Sequence, residues 1–143
     1  MSSYLASLRQ SISQIVPIAT LTNCFEHIGL LAYRDYCDGK SPLEWSGWLS
    51  PAANQKQPDA TKKASELRTT GGGDAPEATK TALAKAYEVM RSDAKTVILL
   101  YTDAAPHTMA NGGSTYSNHG LEQCALKDRK SYSGFGPSFA NWV

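Results

Sequence analysis

The stretch Lys95-Thr-Val-Ile-Leu-Leu-Tyr-Thr-Asp-Ala-Ala-Pro-His107 decides how the rest of the chain is read. Val97 to Leu100 are apolar without a break, and Tyr101 and Thr102 continue the run in strand-favouring residues. A run apolar on both faces is the pattern of a strand buried from both sides, as in a parallel sheet covered by helices. It closes on Asp103 and then on the turn residues Ala-Ala-Pro. In open α/β sheets ligand-handling groups sit just past the carboxyl ends of such strands, which makes Asp103 the first candidate. An Asp that only caps the following turn is the plainer alternative.

Outward from this stretch, Ile28 to Tyr33 form a second apolar run that ends in Arg34 and Asp35. Leu43-Glu-Trp-Ser-Gly-Trp-Leu49 alternates loosely, as a half-exposed edge strand does, with Trp45 and Trp48 sealing the edge. Ser2 and Ser3 offer N-caps to a helix whose stripe is Tyr4, Leu5, Leu8, Ile12 and Ile15 and which is expected to end before Pro17. Ile18 to Phe25 then read as a turn or loop. A surface helix is expected over about 59–68. Pro76 and Glu77 start another, over 78–91, with Leu83, Ala84, Ala86, Tyr87 and Met90 at helical spacing. Beyond Thr108 the pattern dissolves into loop, apart from a short helical piece within Leu121 to Lys130 and a first helical turn at Ser138 to Val143.

The 143 residues fit one domain, 1–143, with a core of its own. A formal charge of +1 with no basic stripe gives no support to nucleic-acid or membrane-surface partners. No apolar stretch reaches membrane-span length, and the N-terminus lacks the basic-then-apolar order of a signal peptide. Cys24, Cys37 and Cys124 are odd in number and widely spaced, which fits reduced thiols and a cytoplasmic setting.

The loop Thr69-Thr-Gly-Gly-Gly-Asp-Ala-Pro-Glu77 is the second chemical feature. It follows a helix, lacks the Lys of a phosphate loop and meets Asp74, whose charge repels phosphate. Oxygens of Asp74 and Asp103 suit a hard cation such as Mg2+. His107, His119, Cys37 and Cys124 match no compact zinc spacing, and neither a zinc site nor a Cys–His nucleophile pair gains support.

Three segments, Ile28-Gly-Leu-Leu-Ala-Tyr-Arg-Asp-Tyr36, Thr70-Gly-Gly-Gly-Asp-Ala-Pro-Glu77 and Val97-Ile-Leu-Leu-Tyr-Thr-Asp-Ala-Ala-Pro-His107, together resemble a von Willebrand factor A domain of the intracellular, alpha-kinase-associated type. The resemblance implies a doubly wound, Rossmann-like α/β fold. It predicts a mostly parallel sheet with one antiparallel edge strand and helices on both faces. It also implies a metal-ion-dependent adhesion site at the strand ends, with Asp103 and Asp74 as metal residues. Thr70, Gly71, Gly72, Gly73, Asp35 and His107 would shape the binding loops around them.

The chain departs from that family where its first strand and DxSxS sequence belong, because Met1-Ser-Ser-Tyr-Leu stands where the following helix starts. The expectation is therefore a domain missing its central first strand and its C-terminal strands. Its neighbours would either pair directly or take a strand from a partner, and Mg2+ would bind weakly or not at all. The function so implied is a non-enzymatic protein-interaction module with a protein partner. The alternatives are a metal-assisted hydrolase using Asp74, Asp103 and His107, with Asp35 nearby, or an inactive partial gene product.

Overall fold

The computed structural model describes residues 2–37, 42–50, 60–68, 76–107, 121, 122 and 126. Among them are helix α1 (Ser2–Thr22), strands β1 (Ile28–Tyr33) and β2 (Leu43–Leu49), and helices α2 (Ala60–Glu66) and α3 (Thr79–Glu88). The chain groups into two compact units, residues 1–32 with 44–69 and residues 33–43 with 70–143.

α1 runs straight through Pro17, where the sequence suggested a stop. Proline has no N–H, so the carbonyl four residues back, that of Ser13, loses its helical donor. Both residues are exposed, so water can meet that carbonyl, and the buried Ala19 ties the last turn to the core. The Thr22 hydroxyl donates to the Ile18 carbonyl at 2.7 Å. The helix ends at Asn23, whose φ of 52° is the left-handed conformation that closes many helices.

Of the predicted α1 stripe, Ile12 is buried and Leu8 packs beside it, with Val16 completing an i, i+4 row. This row meets Leu49 of β2 and Ala60 and Ala64 of α2, with Ile28 and Leu30 of β1 against the same cluster. The small alanines turn what looked like a surface helix into a close neighbour of α1. Arg9 fixes the contact. Its Nε donates to the Ala64 carbonyl at 3.2 Å, and its Nη2 donates to Ser65 at 3.3 Å and Leu67 at 2.8 Å. The carbonyls at a helix C-terminus have no internal partners, and a cation there also opposes the helix dipole.

β1 and β2 form a two-stranded antiparallel sheet, continued by a bond from the Arg34 N–H to the Pro42 carbonyl at 2.9 Å. Trp45 and Trp48 are three apart and would point to opposite faces of a regular strand. Gly47 between them has φ 77°, which breaks the alternation, and the two rings meet edge to face at 5.4 Å. The Trp45 ring also lies over Gly29, leaving no room there for a Cβ. The close approach accounts for Gly29, and the positive φ accounts for Gly47.

The expected doubly wound parallel sheet is not present among the described residues. They hold one antiparallel pair and a single isolated parallel bridge, Glu77 to Pro106. The run Val97 to Thr102 belongs to no strand, and Val97 is 70% and Leu99 61% exposed. The apolar pattern was read as burial, but burial requires neighbouring strands that the described residues do not supply.

Arg9→Met keeps the length of the stem and removes the donors to α2. The substitution is expected to lower stability by about 1–3 kcal/mol, read from urea unfolding. An unchanged midpoint would show that water replaces the guanidinium without loss.

Candidate functional site: a buried His–carboxylate network

The site lies wholly in the second unit. Its first part follows β1, where the chain turns through Asp35, Tyr36 and Cys37. The second is the start of α3, and the third is the segment that closes on His107. The last two are aligned by the parallel bridge and by a bond from the Glu77 N–H to the Ala105 carbonyl at 2.9 Å. The fourth is Glu122, helical with Leu121; Leu126, also helical, is buried.

α3 starts at Thr79, with Ala78 as its N-cap residue and no side-chain cap hydrogen bond from it. A carboxylate distant in sequence takes over that work. Glu122 Oε1 accepts from the Thr81 N–H at 2.9 Å and from the Thr81 hydroxyl at 3.0 Å. Thr81 is the third helical residue, where an N-cap side chain normally delivers its acceptor, and a negative charge at a helix N-terminus is favoured by the dipole. This explains an otherwise odd burial pattern. The predicted apolar face failed at Tyr87, which is 62% exposed, while Thr79, Lys80 and Thr81 are buried with Ala82 and Ala84.

The other oxygen of the same carboxylate, Glu122 Oε2, lies 2.8 Å from His107 Nδ1. On the far side of the ring His107 Nε2 lies 3.4 Å from Asp35 Oδ1. The side chains of all three are nearly or wholly withdrawn from solvent. Two further contacts extend the network. Tyr36 and Thr81 share a hydroxyl hydrogen bond at 2.8 Å, and the Cys37 thiol donates to Asp35 Oδ2 at 3.5 Å. Burial pulls the ammonium of Lys80 below its usual range, and the charge of Glu122 offsets part of that shift.

With the imidazole and both carboxylates shut away from solvent, the arrangement clamps four chain segments together. The sequence reading grouped Asp35 and His107 with Asp74 and Asp103; in the structure Asp35 Oδ1 lies 3.4 Å from His107 Nε2. Asp103 instead stands exposed at a bend. Asp74, Thr70, Gly71, Gly72 and Gly73 lie outside the described residues, as do His119 and Cys124. Glu122, the centre of the network, escaped sequence reading because a lone Glu after Leu121 in a weak helical pattern looks like any solvated charge.

Neither a known family nor a solved structure matches the chain. The chain is 38% identical over 117 residues to an ariadne-like RING finger protein of Acanthamoeba polyphaga mimivirus. The match covers 82% of this chain but only 11% of the relative. The von Willebrand A resemblance is thereby corrected, and with it the adhesion-type function and its alternatives: the protein matched is a RING finger protein. Magnesium is corrected too. Among the described residues no cluster of three His, Cys, Asp or Glu side chains is arranged to hold a metal ion.

Glu122→Ala would strand both the α3 N-terminus and His107. An expected loss of about 3–5 kcal/mol follows from removing one member of a buried charged network. Glu122→Gln, which can still accept from Thr81, is expected to cost about 1–3 kcal/mol. Chemical denaturation of the two variants side by side checks the order.

Lys80 supplies a pH signature. Its lowered pKa means that the unfolded chain holds more protons between that value and 10.5, so stability rises with pH across this window. Below the window the cost of confining the charged amine is fully present. Lys80→Met is expected to remove that part of the rise, seen as a smaller difference in unfolding free energy between neutral and alkaline pH. A variant whose pH profile parallels the native one would exclude this assignment.

Proposed function

We propose that the chain is a protein-recruiting segment that accompanies a RING-type ubiquitin-ligase unit without forming its zinc-bound part. The observation that carries this reading is the 38% identity over 117 residues to an ariadne-like RING finger protein. Proteins of that class are ligase-type enzymes that work with ubiquitin-conjugating partners. The expectation that the chain is no enzyme therefore narrows to its own residues and does not extend to a system it serves.

Structural zinc centres of the RING kind take four Cys or His ligands, with cysteines paired at spacings of two to four residues. Cys24, Cys37 and Cys124 make no such pair. His107 has a carboxylate oxygen beside each ring nitrogen, and the Cys37 thiol donates to Asp35. This donor set does not fit a RING-type zinc centre. What the second unit offers is a frame held by a buried polar network. That is the physical requirement for presenting loops to a protein partner. No described helix is long and apolar enough to cross a membrane.

The purified chain is expected to carry no stoichiometric zinc and to leave a ubiquitin-charged conjugating enzyme undischarged. Fused to an unrelated RING domain, it should direct ubiquitin onto proteins that the RING alone does not modify. Discharge of the charged enzyme by the isolated chain would overturn the reading, as would a fusion with the same products as the RING alone.

A further inference from the structure

The segment Lys95 to Asp103 combines three properties that rarely coexist on a protein surface. Its five central residues, Val97 to Tyr101, are large and apolar, and each is at least 37% exposed. Among the described residues no hydrogen bond reaches the backbone from Lys95 through Tyr101. The run is rich in strand-favouring side chains and carries opposite charges at its two ends, Lys95 and Asp103.

The kind of occupant follows from these properties. A docked helix or a lipid surface would cover the side chains but leave the peptide groups unmet. A strand supplies apolar contacts and backbone partners together. We infer that this segment is a self-association strand, pairing antiparallel with the same segment of a second copy about a two-fold axis at Leu99.

The register argument is specific. With Leu99 opposite Leu99, Ile98 faces Leu100, Val97 faces Tyr101 and Thr96 faces Thr102, and at both ends Lys95 faces Asp103 of the other copy. Aromatic with β-branched, Thr with Thr, and opposite charges are the favourable cross-strand pairs. Centring the pair on Ile98 instead would set Asp103 opposite Asp93, and centring it on Leu100 would set Asp103 opposite Val97. Charge thus selects one register in a run whose apolar residues alone would tolerate several. A two-fold pairing is also closed, whereas an uncharged run of this kind would invite open-ended stacking.

Sedimentation velocity on the full chain, from nanomolar to high micromolar concentration, reads the association directly. A discrete dimer is expected, together with slowed amide exchange over 96–102 in the dimer. Leu99→Lys places two ammonium groups against each other at the axis and is expected to leave only monomer. Lys95→Asp alone should weaken the dimer about tenfold, because both end pairs become repulsive. Adding Asp103→Lys to it should restore affinity to within about threefold of the native chain. Four results would each overturn the proposal: a chain that stays monomeric throughout, aggregates that grow without limit, a dimer indifferent to Leu99→Lys, or a charge-swapped double variant no tighter than Lys95→Asp. Amide protection of this segment that appears only when a different protein is added would assign the strand to another occupant and overturn it equally.

Discussion

One carboxylate holds the second unit together. Glu122 gives one oxygen to the N-terminus of α3 and the other to His107, and both demands are created by burial. The first turn of a helix presents N–H groups that its own backbone cannot satisfy, and α3 buries that turn instead of leaving it to water. An imidazole enclosed beside Asp35 likewise needs fixed partners, since water cannot reach it. A short polar residue at the helix start would have served α3 alone. A carboxylate brought from far along the chain serves both, and so ties the order of the α3 N-terminus to that of the segment ending at His107.

The first unit uses the same device with opposite sign. Arg9, in the middle of α1, sends its guanidinium to the carbonyl end of α2. Helix packing there depends on alanines that permit close approach, and close approach puts the helix terminus within reach of a long cation. In the sheet the limiting contacts are steric. Gly29 makes room for Trp45, and Gly47 turns the strand so that Trp45 and Trp48 can touch. Each compact contact rests on a residue chosen for reach or for absence of bulk.

The similarity to an ariadne-like RING finger protein and the buried network bear on different questions. The similarity is to one stretch, 11%, of a much longer RING finger protein. The network shows Asp35, Thr81, His107 and Glu122 committed to holding described segments of the second unit together. The apolar run at Val97 to Tyr101 sits on the surface and is the feature least at ease there.

Much of the secondary structure was legible in the sequence, because it depends on local spacing. Alternation and apolar runs placed β1 and β2 at their observed bounds, and helical periodicity located the bodies of all three helices. Asp35 and His107 were also legible as polar residues following apolar runs. The sequence could not show which runs find neighbours. Val97 to Thr102 has the composition of a buried strand and stands exposed, because burial belongs to the partner as much as to the run itself. Glu122 was invisible for the mirror reason: nothing about a single Glu announces that a helix terminus and an imidazole will be brought to it. The local pattern determined the elements, and the tertiary structure alone decided which polar groups lost their water and therefore needed one another.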